Sequence, residues 1–105
     1  MKPTQTISVD DFVQFASTQG RMGALSDVGR FAFPEYPERV QRRAVADFVL
    51  LFAHCWGSSR PFQSASDYLN ALEHRVNAAQ TKEDLGLGIH RYYEIVPGRL
   101  QELMD

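Results

Sequence analysis

The sequence has only one cysteine, few lysines and no long continuous apolar stretch. Its single cysteine cannot form an intramolecular disulfide, and its first residues carry no apolar segment typical of a signal peptide, so we expect the cytoplasm. The longest apolar run, Phe48 to Ala53, is far short of the ~20 residues that a membrane span requires. These shortages disfavour a disulfide-stabilised secreted protein and a membrane protein.

Strong charge of either sign is also absent. The net charge is −2 and only two of the 11 basic residues are lysines, whereas proteins that coat nucleic acid are usually strongly basic. No Pro-, Gly- or Ser-rich stretch divides the 105 residues, and 44% of them are hydrophobic, which is enough for a core without metal or disulfides. We therefore expect one domain over residues 1–105.

No alternating apolar pattern and no hairpin signal occurs, so the predicted fold class is all-α. Ser8, Ser64 and Thr81 are each followed three residues later by an aspartate, a pattern typical of helix N-termini. Helical periodicity and these caps predict helices at about 9–19, 22–32, 37–56, 65–79, 82–96 and 97–104. The expected architecture is a compact bundle of five to six helices.

The segment 37–56 is predicted to be the long central helix, because it contains no helix breaker until Gly57 and is almost entirely apolar from Ala44 onward. A helix that is apolar nearly all round is normally surrounded by others. Its narrow polar strip, predicted to be an exposed ridge, consists of Arg39, Arg43, Asp47, Leu50 and His54.

The rare residues His54, Cys55 and Trp56 stand side by side at the end of this segment. Neighbours on a helix point about 100° apart, so His54 and Cys55 cannot both aim at one substrate atom. The apolar neighbours predict a buried, unreactive thiol. No two histidines lie three or four residues apart and no Cys-x-x-Cys occurs, so we expect neither a metal site, nor a cofactor, nor an enzyme.

Residues 25–45, LSDVGRFAFPEYPERVQRRAV, resemble the helix-turn-helix of lactose-repressor-type transcription factors. In that resemblance 27–32 corresponds to the first helix, 33–36 to the turn and 37–45 to the start of the second helix. The resemblance implies a DNA-binding regulator in which Arg39, Arg42 and Arg43 face DNA. If so, these three and Arg30 should project together from one face.

The absence of a recognisable nucleophile, metal set or cofactor loop favours a different function. We expect a small non-enzymatic interaction module, such as an adaptor, inhibitor or accessory factor, that binds another protein or itself through exposed apolar and arginine side chains. DNA binding through residues 25–45 is the alternative, disfavoured by the shortage of lysines for phosphate contacts. The predicted contact residues are Arg30, Phe33, Tyr36, Arg39, Arg42, Arg43, Leu50 and Tyr93, and Phe31 and Tyr92 are candidates for the same apolar patch.

Overall fold

A computed structural model describes residues 7–78 and 81–105, which pack as helices around one apolar core. The helices are α1 (Val9–Thr18), α2 (Gly23–Ala32), α3 (Glu38–Phe52), α4 (Ala65–Asn77), α5 (Thr81–Ile95) and α6 (Pro97–Met104). No strand occurs in these two ranges, and none of their helices is long and apolar enough to cross a bilayer. The predicted all-α class is confirmed.

Two of the three predicted helix caps form as expected. Ser8 and Ser64 accept hydrogen bonds from the backbone N–H groups three residues later, at 3.0 and 3.3 Å. Thr81 differs, because it is the first residue of α5 and its hydroxyl donates to the carbonyl oxygen of Ala78 at 2.7 Å. The capping pattern therefore identified where α5 begins but not what Thr81 does there.

The central position of α3 agrees with the sequence, since α3 packs against each of the other five α-helices. Its α-helical part is shorter than the predicted 37–56. The backbone leaves helical geometry at Phe52 (φ −123°), continues as a 3₁₀ turn over Ala53–Cys55, and turns away at Gly57, whose positive φ of 87° suits glycine. The residues predicted to end the helix therefore belong to a turn.

The contact between α2 and α3 is close because Gly29 has no side chain. A Cβ on Gly29 would lie 2.8 Å from the Cβ of Gln41 and 3.1 Å from the Gln41 backbone. The buried amide of Gln41 then donates hydrogen bonds to the carbonyl oxygens of Phe33 (2.7 Å) and Tyr36 (3.0 Å). One glycine and one glutamine thus fix the connection between the two helices.

Candidate functional site

Two of the predicted contact arginines hold the end of α6. Arg43 donates to the carbonyl oxygen of Leu103 at 2.7 Å, and Arg39 donates to that of Met104 at 3.2 Å. The last carbonyls of a helix have no partner within the helix, so cationic side chains there are favourable. Arg43 also lies 3.2 Å from a carboxylate oxygen of Asp10. These two arginines join α3 to its neighbours.

The other two arginines interact on the side of α2. Arg30 pairs with Asp27 at 2.6 Å, and Arg42 donates to Glu38 (3.1 Å) and to the hydroxyl of Ser26 (3.2 Å). The four arginines therefore point to two separate parts of the molecule. Arg39 and Arg43 contact the end of α6, whereas Arg30 and Arg42 contact groups on α2 and at the start of α3. These contacts therefore do not gather the four arginines as the helix-turn-helix resemblance implies.

Among the predicted aromatic contact residues, Phe33 and Tyr93 have only 2% of their surface exposed. Their ring centroids are 5.8 Å apart, and Phe33 also lies against Tyr36 and His90 at 5.6 and 5.7 Å. The prediction that these two residues lie in a contact surface is thus wrong for this fold. The turn after α2 directs Phe33 inward onto α5, and Tyr93 is on the inner face of α5.

The two remaining predicted residues are half-buried. Tyr36 packs edge-on against Phe33. Leu50 lines a groove of about 590 Å³ together with Arg43, Asp47 and Arg99. Leu50 and Arg43 thus line the same groove. The groove also contains the carboxylate of Asp47, which already has hydrogen-bond partners within the chain.

The sequence placed Asp47 on an exposed ridge, whereas the fold buries it. The Tyr93 hydroxyl donates to Oδ2 of Asp47 at 2.7 Å, and Arg99 donates through Nη2 to Oδ1 at 2.6 Å and through Nε to Oδ2 at 3.1 Å. The exposed-ridge expectation for Asp47 is wrong because α5 and α6, which are distant in sequence, cover it. Asp47, Tyr93 and Arg99 form a network joining α3, α5 and α6.

Burial raises the pKa of the Tyr93 phenol well above its ordinary value of 10.0, and the hydrogen bond to Asp47 raises it further. The hydrogen bonds to Asp47 and Glu102 likewise raise the pKa of Arg99. Both shifts keep these two groups protonated into the alkaline range. The carboxylate of Asp47 therefore keeps both hydrogen-bond donors there, and the network joins α3, α5 and α6.

We expect Tyr93→Phe to remove a pH dependence of stability that the wild-type chain shows above about pH 10. The unfolded chain loses the Tyr93 proton near its ordinary pKa while the folded chain keeps it, so this contribution to stability is complete below pH 10 and declines as the pH rises. The wild-type free energy of unfolding should fall about 1.4 kcal/mol per pH unit more steeply than that of the variant.

Urea unfolding followed by the fluorescence of Trp56, the one tryptophan of the chain, measures this difference across the alkaline range. Tyr68→Phe is the control, because the half-buried Tyr68 ring packs against Phe12 and Phe62 and its hydroxyl is not among the groups that donate to Asp47. Parallel pH profiles for wild type and Tyr93→Phe would contradict the expectation.

The residues that the sequence singled out first, His54 and Cys55, are both exposed. The prediction of a buried Cys55, made from its apolar neighbours, is wrong, because the chain leaves the α-helix at Phe52 and Cys55 lies in an exposed turn. The ring of Trp56 lies 5.3 Å from the guanidinium of Arg75, beside a groove of about 840 Å³ between α4 and the preceding loop. Nowhere in the part of the chain that the structure describes do three His, Cys, Asp or Glu side chains gather as a metal set.

Among the residues that the structure describes, the most exposed large apolar side chains lie on α5. Leu87 is 58% exposed and Ile95 is 72% exposed, and Val96 follows directly after the helix. Arg91 lies between them at four-residue spacing on the same exposed face. We call Leu87, Arg91 and Ile95, with Asp84 and Gly88 beside them, the outer face of α5.

The outer face of α5 was not among the predicted contact residues, although the sequence carried a signal for it. The inward stripe of the predicted helix 82–96 explained Leu85 and Ile89 but left Leu87 and Ile95 on the polar side. Two large aliphatic residues out of phase with an amphipathic pattern indicate an exposed apolar surface. Phe31, one of the patch candidates, is 43% exposed, and its ring lies over Gly86 on the buried side of α5.

The chain matches no protein-family model, no curated protein and no solved structure.

Proposed function

We propose that this chain is a small non-enzymatic interaction module that binds another protein, or a second copy of itself, through the outer face of α5. The observation that carries the proposal is the exposure of Leu87 and Ile95 on one side of a helix whose opposite side forms part of the core. This surface replaces the residues around α3 that the sequence suggested.

The composition of this face supports an interaction role. Leu87 and Ile95 are eight residues apart, about 12 Å along the helix axis, and Arg91 lies between them. Single exposed apolar residues are common on protein surfaces, but two on one ridge with an arginine between them favour a protein interface. We place the protein in the cytoplasm, where an exposed free thiol such as Cys55 stays reduced.

The test is affinity capture from native lysate with the wild-type chain and with Leu87→Asp/Ile95→Asp as baits. We expect the double variant to lose the captured partner, because two charges on the apolar ridge would have to be desolvated in the complex. Leu51→Asp is the matched control, since Leu51 is an exposed leucine (42%) on α3 that borders a groove lined by α1, α4 and α6. It should retain the partner.

A nuclease-treated arm tests the alternative, DNA binding through residues 25–45. Capture that disappears with nuclease and is insensitive to the α5 substitutions would overturn the proposed function in favour of that alternative. Equal loss with Leu51→Asp would also contradict the assignment to α5, because it would show a nonspecific effect of a new surface charge.

A further inference from the structure

Four residues of the outer face of α5 form a compact, chemically mixed group. Asp84, Leu87, Gly88 and Arg91 fall within an arc of about 100° on the helix, opposite the buried side formed by Leu85, Gly86, Ile89 and Tyr93. All four outer residues are exposed. Within residues 7–78 and 81–105, neither Asp84 nor Arg91 makes an ion pair.

No contact within the described residues explains why position 88 is a glycine. A Cβ added there would meet nothing within 4 Å, and its backbone is helical, so the fold does not require glycine at this position. Glycine inside a helix costs about 1 kcal/mol relative to alanine. What it provides is a shallow depression beside Leu87 in which a second helix can approach closely, because interaxial distance depends on the side chains at the contact.

We propose that α5 pairs antiparallel with α5 of a second copy of this chain, about a two-fold axis that passes between Leu87 and Gly88. This inference rests on the proposed interaction through the outer face and names the partner. A two-fold interface joins the same surface on both subunits, so every contact occurs twice. Leu87 then packs against the partner's Leu87 on one side of the axis, and Gly88 lies against the partner's Gly88 on the other side.

The charged residues Asp84 and Arg91 are placed symmetrically about the same two-fold axis. Asp84 and Arg91 lie equally far from the midpoint between Leu87 and Gly88, each about 5 Å along the helix. Antiparallel pairing therefore places Asp84 opposite the partner's Arg91 and Arg91 opposite the partner's Asp84. Opposite charges meet on both sides of the apolar centre, and this self-complementarity is the argument for a second copy over an unrelated protein.

The pairing surface is small, since α5 has 15 residues and is about 22 Å long. Single-helix contacts of this size are below the area of a standard stable interface, and exposed ion pairs contribute little each. We therefore expect a weak dimer that exchanges with monomer and that weakens further at high salt.

Sedimentation equilibrium on the whole chain tests the pairing. The wild-type mass should rise above the monomer value of 11.9 kDa as the concentration increases towards millimolar. Asp84→Arg alone and Arg91→Asp alone each place like charges in both pairs, and each should weaken association about tenfold or more. Leu87→Asp should abolish it, and Gly88→Leu should weaken it by holding the helices apart.

The decisive measurement mixes the two charge-reversed chains. Equimolar Asp84→Arg and Arg91→Asp should form a heterodimer at least as readily as wild type pairs with itself, and the double variant Asp84→Arg/Arg91→Asp should self-associate again. Glu35→Arg, a charge reversal in the turn between α2 and α3, is the control and should leave the mass unchanged. Circular dichroism and Trp56 fluorescence verify that each variant is folded.

A wild-type chain that stays monomeric at millimolar concentration overturns the dimer, as does a mixture that associates no better than its two components. Either failure is distinguishable from failure of the proposed function. If a monomeric wild-type chain captures another protein and Leu87→Asp/Ile95→Asp does not, the interaction surface stands and only the identity of its partner is wrong.

Discussion

Asp47→Ala is expected to lower the free energy of unfolding by about 3 kcal/mol, because breaking a buried ion pair leaves its partner groups uncompensated. The carboxylate of Asp47 accepts from the Tyr93 hydroxyl and from two nitrogens of Arg99, so its removal affects α3, α5 and α6 together. Arg99 is partly exposed and can recover some hydration, which places the expected loss at the lower end of the range for buried pairs.

Two further variants separate charge from shape. Asp47→Asn keeps the size and one acceptor oxygen but loses the charge, and we expect a smaller loss of about 1 to 2 kcal/mol. Asp27→Ala removes an exposed carboxylate that pairs with Arg30 three residues later, and its loss should stay below about 0.5 kcal/mol. Urea unfolding with Trp56 fluorescence measures all three. Equal losses for Asp47→Ala and Asp27→Ala would show that the network contributes no more than a surface pair.

Gly29→Ala and Gly88→Ala are expected to change stability in opposite directions, although both glycines lie inside helices. At Gly29 the new methyl group would overlap Gln41, including its backbone, so α2 and α3 must separate. We expect a loss of about 1 to 3 kcal/mol, as for other overpacked cores. At Gly88 the methyl group enters open space, and the higher helix propensity of alanine should add up to about 1 kcal/mol.

Thermal and urea unfolding measure the stability of Gly29→Ala and Gly88→Ala. The protein concentration is kept low so that self-association does not contribute. Gly88→Ala serves as the control for the general effect of replacing a helical glycine. A Gly29→Ala variant as stable as wild type would show that the α2–α3 contact can relax without cost and that Gln41 does not depend on it.

The helices themselves could be predicted from the sequence because their signals are local. Apolar spacing and the serine caps gave α1, α4 and α6 to within about two residues at each end, which is the usual uncertainty of a helix boundary. The end of α3 could not be predicted in this way. No breaker precedes Gly57, and the departure at Phe52 depends on how the following turn packs against α4.

The surface was harder to predict than the fold, and Asp47 and Phe33 show why. An aspartate on a polar strip and a phenylalanine beside two prolines are both expected at the surface from sequence alone. Each is buried by a contact with α5 or α6, about 45 to 60 residues away in the chain. Leu87, by contrast, is a large apolar residue that receives no such contact and stays exposed.

The sequence by itself determined the all-α class and the order of the helices in residues 7–78 and 81–105, because periodicity and capping act over a few residues. Only the tertiary structure decided which polar groups are buried and which apolar groups are exposed. Arg39 and Arg43 hold the end of α6 and Asp47 is enclosed by α5 and α6, whereas the outer face of α5 has no covering helix within the described residues. Those outcomes depend on which distant segments meet, and a pattern along the chain does not specify them.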